Sequence, residues 1–352
     1  MRKRLFYCMI LIAAAMPLAA ETKTEVKIKE TTLSLSPKLQ LALPNGVVDV
    51  SLRHSLYDTT VDYRSRYDFI DNFSSSELDM TYRFSALSFG LAFFDKVDFE
   101  EIFANNNSLQ RNRYIMPHFG YKVCSNTELR TATRFQNTYT ASIDNMLVLD
   151  NGKNITQSVG VHYSNFQGEN EFAIGDMISV EVSKSFDQFG GNYDYTQADA
   201  ELLDISRPFD DHYIETRLKV GYPLATLRKP LTEIYAMGGY DMLRGYAYKE
   251  FRGESMAYGQ LKYRKPFVLK KEALNVSLDI ISWEMNFEVG KIGDKDIFNS
   301  ISGIKASAGA GFGCVLTIFK AVSVTFSMSL NQPLELRAPH PYFTFTAVSY
   351  IR

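Results

Sequence analysis

Apolar and polar residues alternate with a period of two along most of the chain. Val322, Val324, Phe326, Met328 and Leu330 fall on one parity, with Ser323, Thr325, Ser327 and Ser329 on the other. Ile304, Ala306, Ala308, Ala310, Phe312 and Cys314 oppose Lys305, Ser307, Gly309, Gly311 and Gly313. Ile214, Thr216, Leu218 and Val220 oppose Glu215, Arg217, Lys219 and Gly221, and Leu78, Met80, Tyr82 and Phe84 oppose Asp79, Thr81 and Arg83. Near the start, Val48, Val50 and Leu52 alternate with Asp49, Ser51 and Arg53. Such runs predict β-strands with one apolar and one polar face, and no helical stripe competes with them.

Two architectures use alternating strands throughout. A sandwich buries the apolar face, whereas an outer-membrane barrel turns it to lipid and keeps a polar lumen. The polar faces here carry full charges (Asp79, Arg83, Glu215, Arg217, Lys219, Lys305), which a wet lumen allows. Aromatic residues cluster at strand ends, as in Phe93-Phe94 and Tyr342-Phe343, where interfacial girdles form. Segments of about ten residues also suit tilted membrane strands. The expected fold is therefore all-β, a transmembrane antiparallel β-barrel.

Candidate strands fall near 46–55, 58–69, 76–84, 87–96, 112–123, 126–139, 155–165, 177–187, 193–205, 213–222, 232–238, 255–265, 275–289, 302–318, 320–330 and 342–352. That makes sixteen, an even number that leaves both termini on one side, with fourteen as the fallback. Residues 31–43 offer a further strand. The polar stretches 97–111 and 140–153 read as long connections where short turns are expected.

Export is written at the N-terminus. Arg2, Lys3 and Arg4 precede an apolar run from Leu5 to Ala15, and Met16-Pro17-Leu18-Ala19-Ala20 supplies small residues for cleavage after Ala20. That run is too short for a membrane-spanning helix, and no later segment is long and apolar enough. Residues 1–20 are read as a signal peptide, 21–45 as a short N-terminal segment, and 46–352 as the barrel. After cleavage Cys124 and Cys314 remain, too few for a disulfide framework.

Composition adds exclusions. Across 352 residues the net charge is −2, which gives no reason to expect nucleic-acid binding. Aromatic content of 13%, with 25 Phe and 21 Tyr, is high. There is no Gly-x-Ser-x-Gly elbow, Walker loop or His-Glu-x-x-His. His54, His118, His162, His212 and His340 are scattered singly. No enzyme, metal or cofactor is expected.

One connection stands apart: Gly238-Gly239-Tyr240-Asp241-Met242-Leu243-Arg244-Gly245-Tyr246, running on to Glu254. It is too long for a hairpin turn and too aromatic for a solvated loop. Leu243-Arg244-Gly245-Tyr246 resembles the [V/I/L]-R-G-[F/Y] motif in the sixth extracellular loop of the outer-membrane assembly and secretion barrels. That superfamily holds BamA, the TamA translocation proteins, the two-partner secretion transporters and the bacterial surface antigens. The lead-in Ile234-Tyr235-Ala236-Met237-Gly238-Gly239 echoes the family's glycine-rich approach. Tyr258 to Phe267 looks like its twelfth strand with the closing Pro-Phe.

The resemblance implies sixteen strands, a seam between first and last that opens laterally, and a loop six folded into the lumen. Its Arg244 would meet an acid on strand thirteen. By alternation Ser282, Glu284, Asn286 and Glu288 share the polar face there. Glu284 and Glu288 are both candidates, and either could accept a bidentate pair from the arginine. Lys262 stands where the best-known assembly members carry a second acid. The expected loop-six motif is thus Gly238, Gly239, Leu243, Arg244, Gly245 and Tyr246.

The family's periplasmic POTRA domains have no room in this chain, so the resemblance is to a POTRA-less member. It implies a place in the outer membrane of a diderm bacterium. Its implied partners are outer-membrane lipid, nascent outer-membrane or secreted polypeptides, and a separate periplasmic partner. Two functional readings stay open. One is assisted insertion or translocation of protein or lipid, and the other is a passive channel or structural surface barrel.

Overall fold

The computed structural model describes residues 34–351, apart from breaks at 44–46, 57, 69–72, 104–105, 143–146, 168–172, 189, 240, 248, 274, 295–296, 300–301, 320–321 and 336–340. The signal peptide read at 1–20 lies outside the described residues. The strands are β1 (Ser34–Leu43), β2 (Val47–Leu56), β3 (Thr59–Asp68), β4 (Phe73–Phe84), β5 (Leu87–Phe103), β6 (Asn106–Cys124), β7 (Thr127–Ser142), β8 (Val148–Ser164) and β9 (Gly175–Ser185). They continue as β10 (Asp194–Phe209), β11 (His212–Arg228), β12 (Tyr235–Met237), β13 (Phe251–Gly253), β14 (Ser255–Ala273), β15 (Val276–Gly293), β16 (Lys305–Ile318), β17 (Val322–Pro333) and β18 (Tyr342–Ile351).

All except β12 and β13 join in chain order into one closed antiparallel barrel, sixteen strands among the described residues, with β1 paired to β18. Exposure settles which face is which. On β15, Glu284, Asn286 and Glu288 are 4%, 5% and 0% exposed, while Met285 and Phe287 between them are 49% and 45% exposed. A water-soluble sandwich would show the reverse. The apolar face is the outer wall, as a lipid-spanning barrel requires.

Connections differ at the two ends. At one end lie tight turns at 85–86, 125–126 and 210–211, with Asn275 in a turn between β14 and β15. Ser85, Asp211 and Asn275 adopt positive φ of 55°, 62° and 63° there. At the other end lie the long connections 186–193, 229–254 and 294–304. Outer-membrane barrels keep short turns in the periplasm and long loops outside, which orients the molecule.

The strand count matches expectation, but two assignments differ and offset each other. Ser34–Leu43, placed ahead of a barrel starting at 46, is its first strand. The stretch 232–238 is not in the wall. Its core β12 pairs only with β13, because the run between Pro230 and Gly238 is too short to cross the membrane. The loop therefore still joins the eleventh and twelfth wall strands. The polar stretches 97–111 and 140–153 also lie largely within strands. β5 to β8 run past their neighbours β4 and β9, and where they clear the bilayer both faces are wet, so alternation fades while pairing persists.

Candidate functional site

The connection between β11 and β14 turns inward and fills part of the lumen. It leaves Arg228, makes one 3-10 turn at Leu231–Glu233, and forms a ribbon from β12 and β13. Between these strands the backbone folds sharply at Gly238 and Gly239, whose φ of 118° and 99° favour glycine. The Gly239 amide donates to the Tyr246 carbonyl at 3.2 Å and the Tyr246 amide to Leu243 O at 3.0 Å, closing the motif into a compact knot. Tyr240 and Tyr248 lie outside the described residues.

The knot has its own small core. Met237, Leu243 and Tyr246 pack with Tyr258 of β14, flanked by Phe251, Met256 and Ile292. Two wall glycines make room: a Cβ on Gly290 would meet Leu243 and Met237 at 3.1 Å, and one on Gly221 would strike the Tyr235 ring. Gly245 itself lies flat on the wall, where a Cβ would stand 2.8 Å from both Ser307 Cβ and Pro333 N. Any larger side chain at 245 would lift the apex off β16 and β17.

Glu288 is the centre of attachment. Fully buried on β15, it accepts the Arg244 amide at 2.6 Å, the Ser307 hydroxyl at 3.0 Å and the Tyr258 hydroxyl at 2.8 Å. Gln260 Nε2 adds a fourth donor at 3.4 Å. The Arg244 guanidinium reaches it at 3.6 Å through Nε, an ion pair too long for a hydrogen bond and not the bidentate fork expected. Glu284 is engaged elsewhere: Lys262 Nζ meets it at 2.7 Å and Arg264 Nε at 3.7 Å. Of the two candidate acids, the structure brings Glu288 to Arg244. Lys262 neutralises the other.

Burial opposes the charge on Arg244, yet Glu288, with Tyr258, Glu284 and Glu215 behind it, raises its pKa above the ordinary guanidinium value. Tyr246 donates to the Ala306 carbonyl and to Glu335, both at 3.2 Å. Burial first, then the Glu335 carboxylate, pushes the Tyr246 phenol up to about 12.

A second attachment was not read from the sequence. Glu233, in the 3-10 turn, accepts Arg134 Nη2 at 3.0 Å and Gln136 Nε2 at 2.8 Å, both from β7. The Leu231 amide donates to Asp150 of β8 at 3.1 Å, and the Tyr235 hydroxyl to Asp199 of β10 at 2.6 Å. Lys229 Nζ sits 4.6 Å from the centre of the Tyr235 ring. Around the wall, β7 lies six strands from β15, so the loop is held from two distant sides of the lumen. The inward parity of Arg134 and Gln136 was legible, but their partner is nearly a hundred residues away in sequence.

A closed barrel of sixteen strands among the described residues, with an apolar outer wall and a loop docked in a charged lumen, has the build of an outer-membrane β-barrel. The chain belongs to the superfamily whose model, the Omp85 superfamily domain, matches residues 29–334. Barrels of that superfamily are not enzymes. Among solved structures, BamA from Haemophilus ducreyi lacking POTRA domains 1–3 is similar at a TM-score of 0.69 and 14% identity, over 91% of this chain and 70% of that one. CdiB from Escherichia coli is similar at a TM-score of 0.64 and 11% identity, over 90% of this chain and 62% of that one. CdiB from Acinetobacter baumannii follows at 0.60 and 9%, over 92% and 60%. The chain thus spans less than two thirds of either CdiB. At these identities the likeness concerns the fold. No curated protein matches the sequence.

Proposed function

We propose that this barrel assists the insertion or translocation of polypeptide at the outer membrane, with loop six as the brace that keeps the wall in shape while the seam opens. The observation that carries the reading is the Glu288 clamp. One buried carboxylate ties the loop apex to β14, β15 and β16 through the Arg244 amide, Tyr258, Gln260 and Ser307. Four donors on one ion hold these strands as a rigid unit.

The seam supplies the complementary weak point. Among the described residues its register runs from Lys38↔Tyr350 to Leu43↔Phe345, whereas β5 and β6 pair from Leu87↔Tyr121 to Phe103↔Asn106. Opening a short register exposes strand edges, which can template an incoming strand. Lateral opening beside a braced wall is the working cycle that this arrangement favours.

The test is depletion of the protein followed by a quantitative inventory of outer-membrane proteins, with rescue by the parent or by Glu288→Gln. The reading expects a defined set of barrel or secreted proteins to fall and Glu288→Gln to rescue poorly. An unchanged inventory would contradict it and favour a structural surface barrel.

A further inference from the structure

On the outer wall across β3 to β8 a cavity of about 740 Å³ opens where the strands leave the apolar belt. Its floor is a row of cross-strand partners, Leu78, Phe93, Ile115 and Phe135, continued by Ile155. Two residues further toward the long-loop end, the same outward parity carries Asp95, Arg113, Asn137 and Lys153. Apolar wall thus gives way to charge within a single step, at the height of the lipid headgroups.

That charge is predominantly positive. Arg113 Nε meets Asp95 at 3.0 Å and Arg111 Nη2 meets the same carboxylate at 3.3 Å, so one acid serves two guanidinium groups. Lys153 is exposed and forms no ion pair among the described residues. Three cations therefore share this rim with one anion, above a floor whose Ile115 and Phe135 are 47% and 50% exposed. A hydrophilic peptide or free anion would match the rim and leave the floor facing hydrocarbon unsatisfied. A second copy of this chain would meet the same basic rim with a basic rim.

We propose that this recess binds a phosphate-bearing glycolipid of the outer leaflet, with an acyl chain along Leu78, Phe93, Ile115 and Phe135 and a phosphate held by Arg113 and Lys153. The anionic head answers the cations, and the acyl chain fills the floor. Neither the loop-six clamp nor the seam takes part, so the site is independent of the assembly reading.

The test is native mass spectrometry of the full-length barrel in detergent, titrated with bis-phosphorylated lipid A, with its dephosphorylated form and with phosphatidylethanolamine. One phosphorylated glycolipid per barrel is expected to bind in preference to the other two. Arg113→Gln combined with Lys153→Gln should weaken that binding about tenfold, while Lys265→Gln on the outward face of β14 leaves it unchanged. Folding of each variant is checked by heat-modifiable gel mobility. The lipid comparison on the parent barrel stands whether or not the double variant folds. Equal binding of the dephosphorylated lipid, undiminished binding to a folded double variant, or mass gained as a second copy of the chain would each overturn the assignment.

Discussion

At the scale of single residues, Glu288 gathers four hydrogen-bond donors on one buried carboxylate. Its backbone partner is the Arg244 amide at 2.6 Å, and that contact survives any change of the arginine side chain. Glu288→Gln should therefore harm the loop more than Arg244→Ala does. Losing the buried charge leaves Arg244 without its counter-ion and is expected to cost about 3 kcal/mol, read as a lower thermal midpoint. Glu284→Gln should leave loop six docked, because Lys262 and Arg264 are its partners. Limited trypsin digestion separates them: rapid cleavage within 244–252 is expected for Glu288→Gln and resistance for Glu284→Gln.

Tyr246 gives the same docking a pH signature. Its folded pKa is raised to about 12, so the neutral phenol is favoured in the docked loop. A raised folded value means the contribution is complete below the unfolded tyrosine range near 10 and disappears as pH rises through the folded value. Trypsin resistance of the loop should hold to about pH 10 and decline toward 12, and Tyr246→Phe should flatten that decline. An identical alkaline profile in the two proteins would remove Tyr246 from the account.

At the scale of elements, the loop's near segment matters as much as its motif. Glu233→Gln removes the ion pair to Arg134 and weakens the acceptor for Gln136, freeing the 3-10 turn while leaving the Glu288 clamp intact. Hydrogen exchange should rise across 229–237 and stay low across 243–246; a rise in both segments would mean that the two attachments are one unit. Gly245→Leu should act at the other end, since even a Cβ would press on Ser307 and Pro333. Its expected effect is loss of protection in 243–246.

Much of this is legible in the sequence. Strands between lipid and lumen announce themselves because each residue faces one solvent or the other, which is why 322–330 and 304–314 read cleanly. The extensions of β5 to β8 did not, because beyond the bilayer both faces meet water. The run Ile234 to Met237 looks like a wall strand because it is apolar, but Met237 packs on the lumen-facing Met256 and Ile292, and Tyr235 reaches Asp199 of β10, rather than lipid. Parity placed Glu284 and Glu288 together in the lumen; choosing between them required knowing that Lys262 claims the first.

At the scale of the whole molecule, a loop attached at β15 and again at β7 crosses the lumen and obstructs it. A barrel of this width without such a loop would leave an aqueous channel. The assembly reading and the channel reading differ here in a measurable way, because a braced lumen conducts little until its attachments fail.

Single-channel recording in planar bilayers tests this most directly, on the parent and on the Glu233→Gln, Glu288→Gln double variant. The account predicts a parent that is closed apart from rare brief openings, and a double variant with long-lived openings of porin-like size. A parent that conducts steadily, at a level the double variant does not change, would contradict it.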